Sequence, residues 1–100
     1  IDQSPEMQKF KDILRSVQGT RKSKLLDGDL NAIGEVDVSN LIDSFKGSQG
    51  VVAVVLDGII TQRLIDVAAD ANVRYLVGAK IGNVTKKPPN LRILSQRDLS

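Results

Sequence analysis

One hundred residues, 26% of them charged and with a net charge of +2, suit one small domain, too short for two independent cores. The chain has no cysteine, which excludes a disulfide framework and thiolate chemistry, and no histidine, which removes the commonest general base and metal ligand. No apolar run approaches the roughly 18 residues of a membrane helix.

The opening Ile1-Asp2-Gln3-Ser4-Pro5 is neither a signal peptide nor an initiator methionine, so the chain reads as a fragment of a larger protein, expected in the cytoplasm. Ser4-Pro5-Glu6 supplies an N-cap, a first-turn proline and a first-turn acid. Met7, Phe10, Ile13, Leu14 and Val17 follow at helical spacing, and Gly19 gives a stop, so a helix is predicted from Pro5 to about Gln18. Its apolar stripe belongs on a core, with Lys9, Lys11, Asp12 and Arg15 on the other side. Arg21 to Leu26 and Leu30 to Val36 read as short strands. The turn between them, Asp27-Gly28-Asp29, offers Gly28 for a positive φ. Hairpin turns demand Asp and Gly in any case, so the acidic pair is weak support for a metal site. Asp37 or Ser39 can cap a short helix through Leu41, Ile42 and Phe45, closed by the polar loop Lys46 to Gly50.

The stretch Val51 to Leu56 is wholly apolar and does not alternate, the pattern of a strand buried on both faces. Asp57 and Gly58 are then expected just beyond its carboxyl end, where open α/β sheets place their ligand sites. Thr61 or Asp57 begins the next helix, which carries Ile60, Leu64, Ile65, Val67, Ala68 and Ala71 and ends at Asn72 as a C-cap. Val73 to Ala79 is the following strand, and Val51 to Ala79 makes a right-handed βαβ crossover if the two strands are neighbours in one sheet. Lys80 to Asn90 is basic, flexible and proline-bounded. Leu91 to Leu94 is a last short strand, after which Gln96 to Ser100 trails or begins a helix. The expected fold is α/β, a small mixed sheet in two or three layers with the order α-β-β-α-β-α-β-β.

Charge is unevenly spread. Lys9, Lys11, Arg15, Arg21, Lys22 and Lys24 make the first quarter basic, and Arg74, Lys80, Lys86, Lys87, Arg92 and Arg97 do the same for the last third, around an acidic middle. Such asymmetry fits a polyanion or an acidic protein surface, and solvated faces account for the same clusters. Asp57 is the best single candidate for chemistry, since a strand-end carboxylate can hold Mg²⁺. No Asp-x-Asp follows it, however, and as a turn organiser it would accept backbone N–H bonds from the turn and the first helical turn. Gly78 and Gly82 with Lys80, Lys86 and Lys87 could cradle phosphate, although no phosphate-loop spacing is present. Arg63 is placed near the same rim, where its guanidinium could meet phosphate or a carboxylate. No aromatics interleave the basic residues, which disfavours a base-stacking platform.

Two strings carry a family likeness. Val55-Leu56-Asp57-Gly58-Ile59-Ile60-Thr61-Gln62-Arg63-Leu64-Ile65-Asp66-Val67-Ala68 and Val77-Gly78-Ala79-Lys80-Ile81-Gly82-Asn83-Val84-Thr85-Lys86-Lys87-Pro88 resemble the C-terminal domain of archaeal DnaG-type primases. The likeness extends to the hairpin region from Gly19 to Val36 and the helix before it. It implies a parent protein whose Toprim domain, elsewhere in the chain, binds Mg²⁺ through a Glu-Gly motif and paired aspartates for RNA primer synthesis. Neither motif occurs here, so the resemblance implies a non-catalytic domain that needs no cofactor of its own. It also implies a partner, the zinc-ribbon cap subunit of the RNA-degrading exosome. The docking surface is expected around Gln62, Arg63, Lys80, Asn83, Lys86 and Lys87. Nucleic-acid binding by the two basic regions is the alternative.

Overall fold

The computed structural model describes residues 5–45 and 50–99. The cap expected at Ser4 and the loop expected from Lys46 lie outside the described residues, as does Ser100. The elements in chain order are α1 (Pro5–Val17), β1 (Lys22–Leu26), β2 (Ala32–Asp37), a 3-10 turn (Val38–Asn40), α2 (Leu41–Ser44), β3 (Ala53–Ile60), α3 (Gln62–Asp70), β4 (Tyr75–Ile81), β5 (Arg92–Ser95) and α4 (Gln96–Leu99). The α/β fold expected from the sequence is present, as one five-stranded sheet of order β2-β1-β3-β4-β5. β1 runs antiparallel to β2 and β3, while β3, β4 and β5 are mutually parallel.

β3 runs through the middle of the sheet, and its buried, non-alternating sequence has the predicted cause. Ala53 and Val55 pack with Phe10, Leu14 and Val17 of α1 on one face. Val54 and Leu56 pack with Leu64, Ile65 and Ala68 of α3 and with Leu41 of α2 on the other. Helices therefore cover both faces in three layers, and a strand so placed has no solvent side to mark with polar residues. α1 docks through the fully buried Phe10, whose ring meets Tyr75 of β4 at a centroid distance of 5.1 Å. Truncating such a buried ring typically costs about 3–5 kcal/mol.

The helix ends follow local rules. Gly19, at φ +80°, takes the left-handed conformation that ends α1. Asn72, at φ +63°, does the same after α3. There Val73 N–H reaches the Ala68 carbonyl at 3.0 Å and Asn72 N–H the Ala69 carbonyl at 3.1 Å. These bonds make a Schellman cap, and the buried Val73 supplies its apolar contact. Asp37 precedes the 3-10 turn without a side-chain capping bond, so the cap expected there is not made.

Three expectations change. In the β1–β2 hairpin the positive φ falls on Leu30 (+62°), not on Gly28. Asp27 forms a turn closed by Leu30 N–H to its carbonyl at 2.9 Å, and its carboxylate accepts from Asp29 N–H and Asn31 N–H. Burying Leu30 offsets the left-handed cost, on the order of 1 kcal/mol. Second, the element order gains a short helix, α4, the helical one of the two outcomes expected for Gln96 to Ser100, and its Asp98 accepts from Ser95 N–H at 2.8 Å. The third change bears on function: β3 does not stop at Leu56 but runs on to Ile60 through a bulge. Leu56 pairs with Gly78 and Ile59 with Lys80, so β3 inserts one extra residue where Asp57 and Gly58 lie.

The bulge brings Ile60 across β4. A methyl group built on Gly78 would lie 2.7 Å from Ile60 Cγ1, 3.1 Å from Cδ1 and 3.2 Å from the Gly58 carbonyl oxygen. Ile60 is fully buried and has nowhere to retreat. We expect Gly78→Ala to destabilise the domain by about 1–3 kcal/mol, measured as a lowered urea midpoint. Gly58→Ala, whose added methyl meets nothing closer than 3.5 Å, is the matched control. Equal midpoints for the two variants would show that Ile60 repacks freely.

Candidate partner-binding rim

The rim forms where β3 hands over to α3 and where β4 runs into its following loop. Thr61 caps α3, its side chain accepting from Leu64 N–H at 3.2 Å. That role belongs to Thr61 and not to Asp57, which lies four residues upstream in the bulge. Gln62, the first residue of α3, is half-buried and reaches across to the loop after β4. Its Oε1 accepts from Thr85 N–H and Lys86 N–H, both at 2.9 Å, and meets Thr85 Oγ1 at 3.4 Å. Its Nε2 donates to the Lys86 carbonyl and to Asp66 Oδ1, both at 3.0 Å. The donors and acceptors of one amide are thereby filled, and Lys86 is held by both its N–H and its C=O, as across a sheet ladder.

The loop is consequently not the loose segment expected from its composition. Gly82 N–H bonds the Ile60 carbonyl at 2.9 Å, Val84 packs against the α3-side core, and the buried Leu91 closes the far end. Arg63, Lys80, Asn83, Lys86 and Lys87 are all exposed around this framework. None of the four cations makes an ion pair with another described residue, whereas Lys22 of the first basic region is paired with Glu35 at 3.4 Å. Lys9 of that region also donates to the Asp29 carbonyl, at 3.4 Å.

Gly78 cannot join a phosphate cradle. It is buried within β4 under Ile60, so of the two glycines considered only Gly82 lies at the exposed rim.

No protein-family model matches the chain. Curated relatives do. The chain is 44% identical over 92 residues to a protein named DNA primase DnaG from Thermococcus gammatolerans, a match covering 92% of this chain and 20% of that protein. It is 40% identical over 91 residues to a DNA primase DnaG from Methanocella arvoryzae, with 90% and 19% covered. Against the DNA primase DnaG of Methanothermobacter thermautotrophicus it is 40% identical over 87 residues, with 86% and 23% covered. This chain is homologous to one segment of the archaeal DnaG primases. It spans about a fifth of the length of these relatives.

Within this DnaG-related segment Asp57 serves the backbone. Its Oδ2 accepts from Arg21 N–H at 2.8 Å, just past the last β1–β3 pair, Ser23 with Leu56. Arg21 sits at φ +56°, and its carbonyl accepts from Val38 N–H at 3.0 Å. The carboxylate thus pins a left-handed residue that joins α1 to the sheet. A hydrogen bond to a charged acceptor contributes about 1.5–3 kcal/mol, enough to offset that conformation. The bond comes from a residue 36 positions earlier, not from the adjacent turn or helix as expected. Among the described residues no group of three or more carboxylates, histidines or cysteines is gathered to hold a metal. The Asp27 carboxylate is likewise engaged in its own turn.

Sequence reading found Gln62 but not what it does, because its partners Thr85 and Lys86 lie 23 and 24 residues away. Two outcomes are expected. Asp57→Ala should cost about 1–3 kcal/mol in urea unfolding, with Asp57→Asn, which keeps an acceptor, recovering most of it. In Gln62→Ala the acceptor for Thr85 N–H and Lys86 N–H is lost together with the donors to Lys86 and Asp66. Exchange of the Thr85 and Lys86 amide protons should accelerate at least about tenfold while core amides stay protected. Unchanged exchange would mean that the loop holds itself.

Proposed function

We propose that this chain is a non-catalytic, C-terminal interaction domain of an archaeal DnaG-type primase, and that it docks its parent onto the RNA-degrading exosome through the zinc-ribbon cap subunit. The homology to DnaG primases supports the first half of this reading, and the family resemblance of the β3–α3 and β4–loop strings suggests the partner. The observation that carries it on this chain is the Gln62 clasp. It holds a loop whose exposed Lys86 and Lys87, with Arg63 and Lys80, make no ion pair with another described residue. A rim fixed in advance binds at lower entropic cost than a loose one, and unpaired guanidinium and ammonium groups favour a carboxylate-rich surface. Primer synthesis and its Mg²⁺ belong, on this reading, to the parent's Toprim domain.

The alternative is RNA or DNA binding, for which the same unpaired cations speak. Capture experiments separate the two. Immobilised chain should retain purified exosome cap subunit, and the triple reversal Arg63→Glu, Lys86→Glu, Lys87→Glu should weaken retention at least about tenfold without lowering the melting temperature. Retention no better than by an unrelated domain would overturn the docking reading. Nucleic-acid affinity falling steeply with salt, in the absence of cap binding, would favour the alternative.

A further inference from the structure

The sheet exposes two large apolar side chains among the described residues, Ile33 and Ile59. Ile33 is the unpaired residue of an edge bulge, since Leu25 pairs with Gly34 and Leu26 with Ala32, and bulges at edges commonly serve to discourage pairing. Ile59 has no such explanation. It belongs to the central strand, is 56% exposed, and stands directly after the β3 bulge. Its ladder partner is Lys80, and a methyl built on Gly82 would lie 3.0 Å from its Cγ2. Ile59 is therefore set at the root of the clasped loop, beside Lys80, which makes no ion pair with another described residue.

We propose that Ile59 is the apolar anchor of the rim, and that the rim accepts an acidic protein segment bearing one apolar side chain. The proposal rests on the docking reading above and names the chemistry of the partner. Charge complementarity to Lys80, Lys86, Lys87 and Arg63 calls for carboxylates, and arginine engages these in bidentate fashion. A solvent-exposed isoleucine beside Lys80 gains from a partner that covers it with apolar surface. A phosphate backbone offers no such surface, and no exposed aromatic side chain stands at the rim for bases to stack on, Phe10 and Tyr75 packing on each other on the α1 side of the sheet and Phe45 being buried. The Lys80 side of the rim also borders a surface groove lined by Ala79, Lys80, Ile81, Ser95, Gln96 and Arg97, which gives an extended segment room to continue.

The test is fluorescence anisotropy with three labelled probes on the 100-residue chain: a short Glu/Asp peptide with a central leucine, the same peptide with serine in its place, and a single-stranded RNA of matched charge. The leucine peptide should bind roughly tenfold tighter than the serine peptide. Ile59→Ser should abolish that preference at unchanged melting temperature, and Lys80→Glu should weaken both peptides. The inference is overturned if the two peptides bind alike or not at all, if Ile59→Ser leaves the preference intact, or if the RNA binds as tightly as the leucine peptide. Capture of the exosome cap subunit, scored on the same variants, keeps the two readings apart. Capture lost in the Arg63, Lys86, Lys87 reversal but indifferent to Ile59→Ser would sink the anchor and spare the docking. An Ile59-dependent peptide preference without capture of the cap subunit would do the reverse.

Discussion

A single extra residue in β3 sets the geometry on which the rest depends. Had the pairing of Leu56 with Gly78 continued without a bulge, Ile59 would face Ile81 and Ile60 would face Gly82. Instead Ile59 pairs with Lys80 and Ile60 with Ile81, and the latter two share the core under α3. The shift is sustained by what surrounds it. Gly78 leaves room for Ile60 to cross β4, and Asp57, freed from the regular ladder, turns its carboxylate to Arg21. The bulge thus ties the α1–β1 junction to the β3–α3 junction through one side chain.

The second device is an amide acting as a strand. Beyond Gly82 the ladder stops, and no main-chain group of another described residue pairs with Lys86. Gln62 supplies the pairing, donating to its carbonyl and accepting from its N–H. These main-chain groups are exposed and would otherwise bond to water, so the clasp's effect is to fix the loop's course. Thr61 and Gln62 divide the work at the start of α3. The hydroxyl caps the helix, and the amide faces the other way, toward the loop.

Elements with a local cause were legible in the sequence. The 3.6-residue stripe of Phe10, Leu14 and Val17, the Gly19 stop, the Asn72 cap and the fully apolar core of β3 each reflect physics within a few residues, and each is where it was expected. What escaped reading was non-local. Asp57-Gly58 has the composition of a strand-ending turn, and only the register against β4 makes it a bulge. Gly28 has the composition of a positive-φ position, yet the Asp27 carboxylate sets the turn so that Leu30 takes it. The candidate rim was legible as a set of residue types, while the feature that orders it, a hydrogen bond spanning 24 residues, leaves no periodic trace.

Asp57 and Ile59 illustrate how one local distortion can trade one kind of site for another. A carboxylate at the carboxyl end of a parallel strand is the usual starting point for a metal or phosphate site. Here the strand does not end, the carboxylate is drawn back to a main-chain N–H, and the residue that reaches solvent two positions later is an isoleucine. The same end of the sheet therefore presents, in place of a convergent polar pocket, an apolar side chain beside a lysine and a pinned basic loop. Such a surface is poorly suited to enclosing a small ligand. The docking proposed above would use it so that burying the apolar side chain supplies affinity and the charged surround selects the partner.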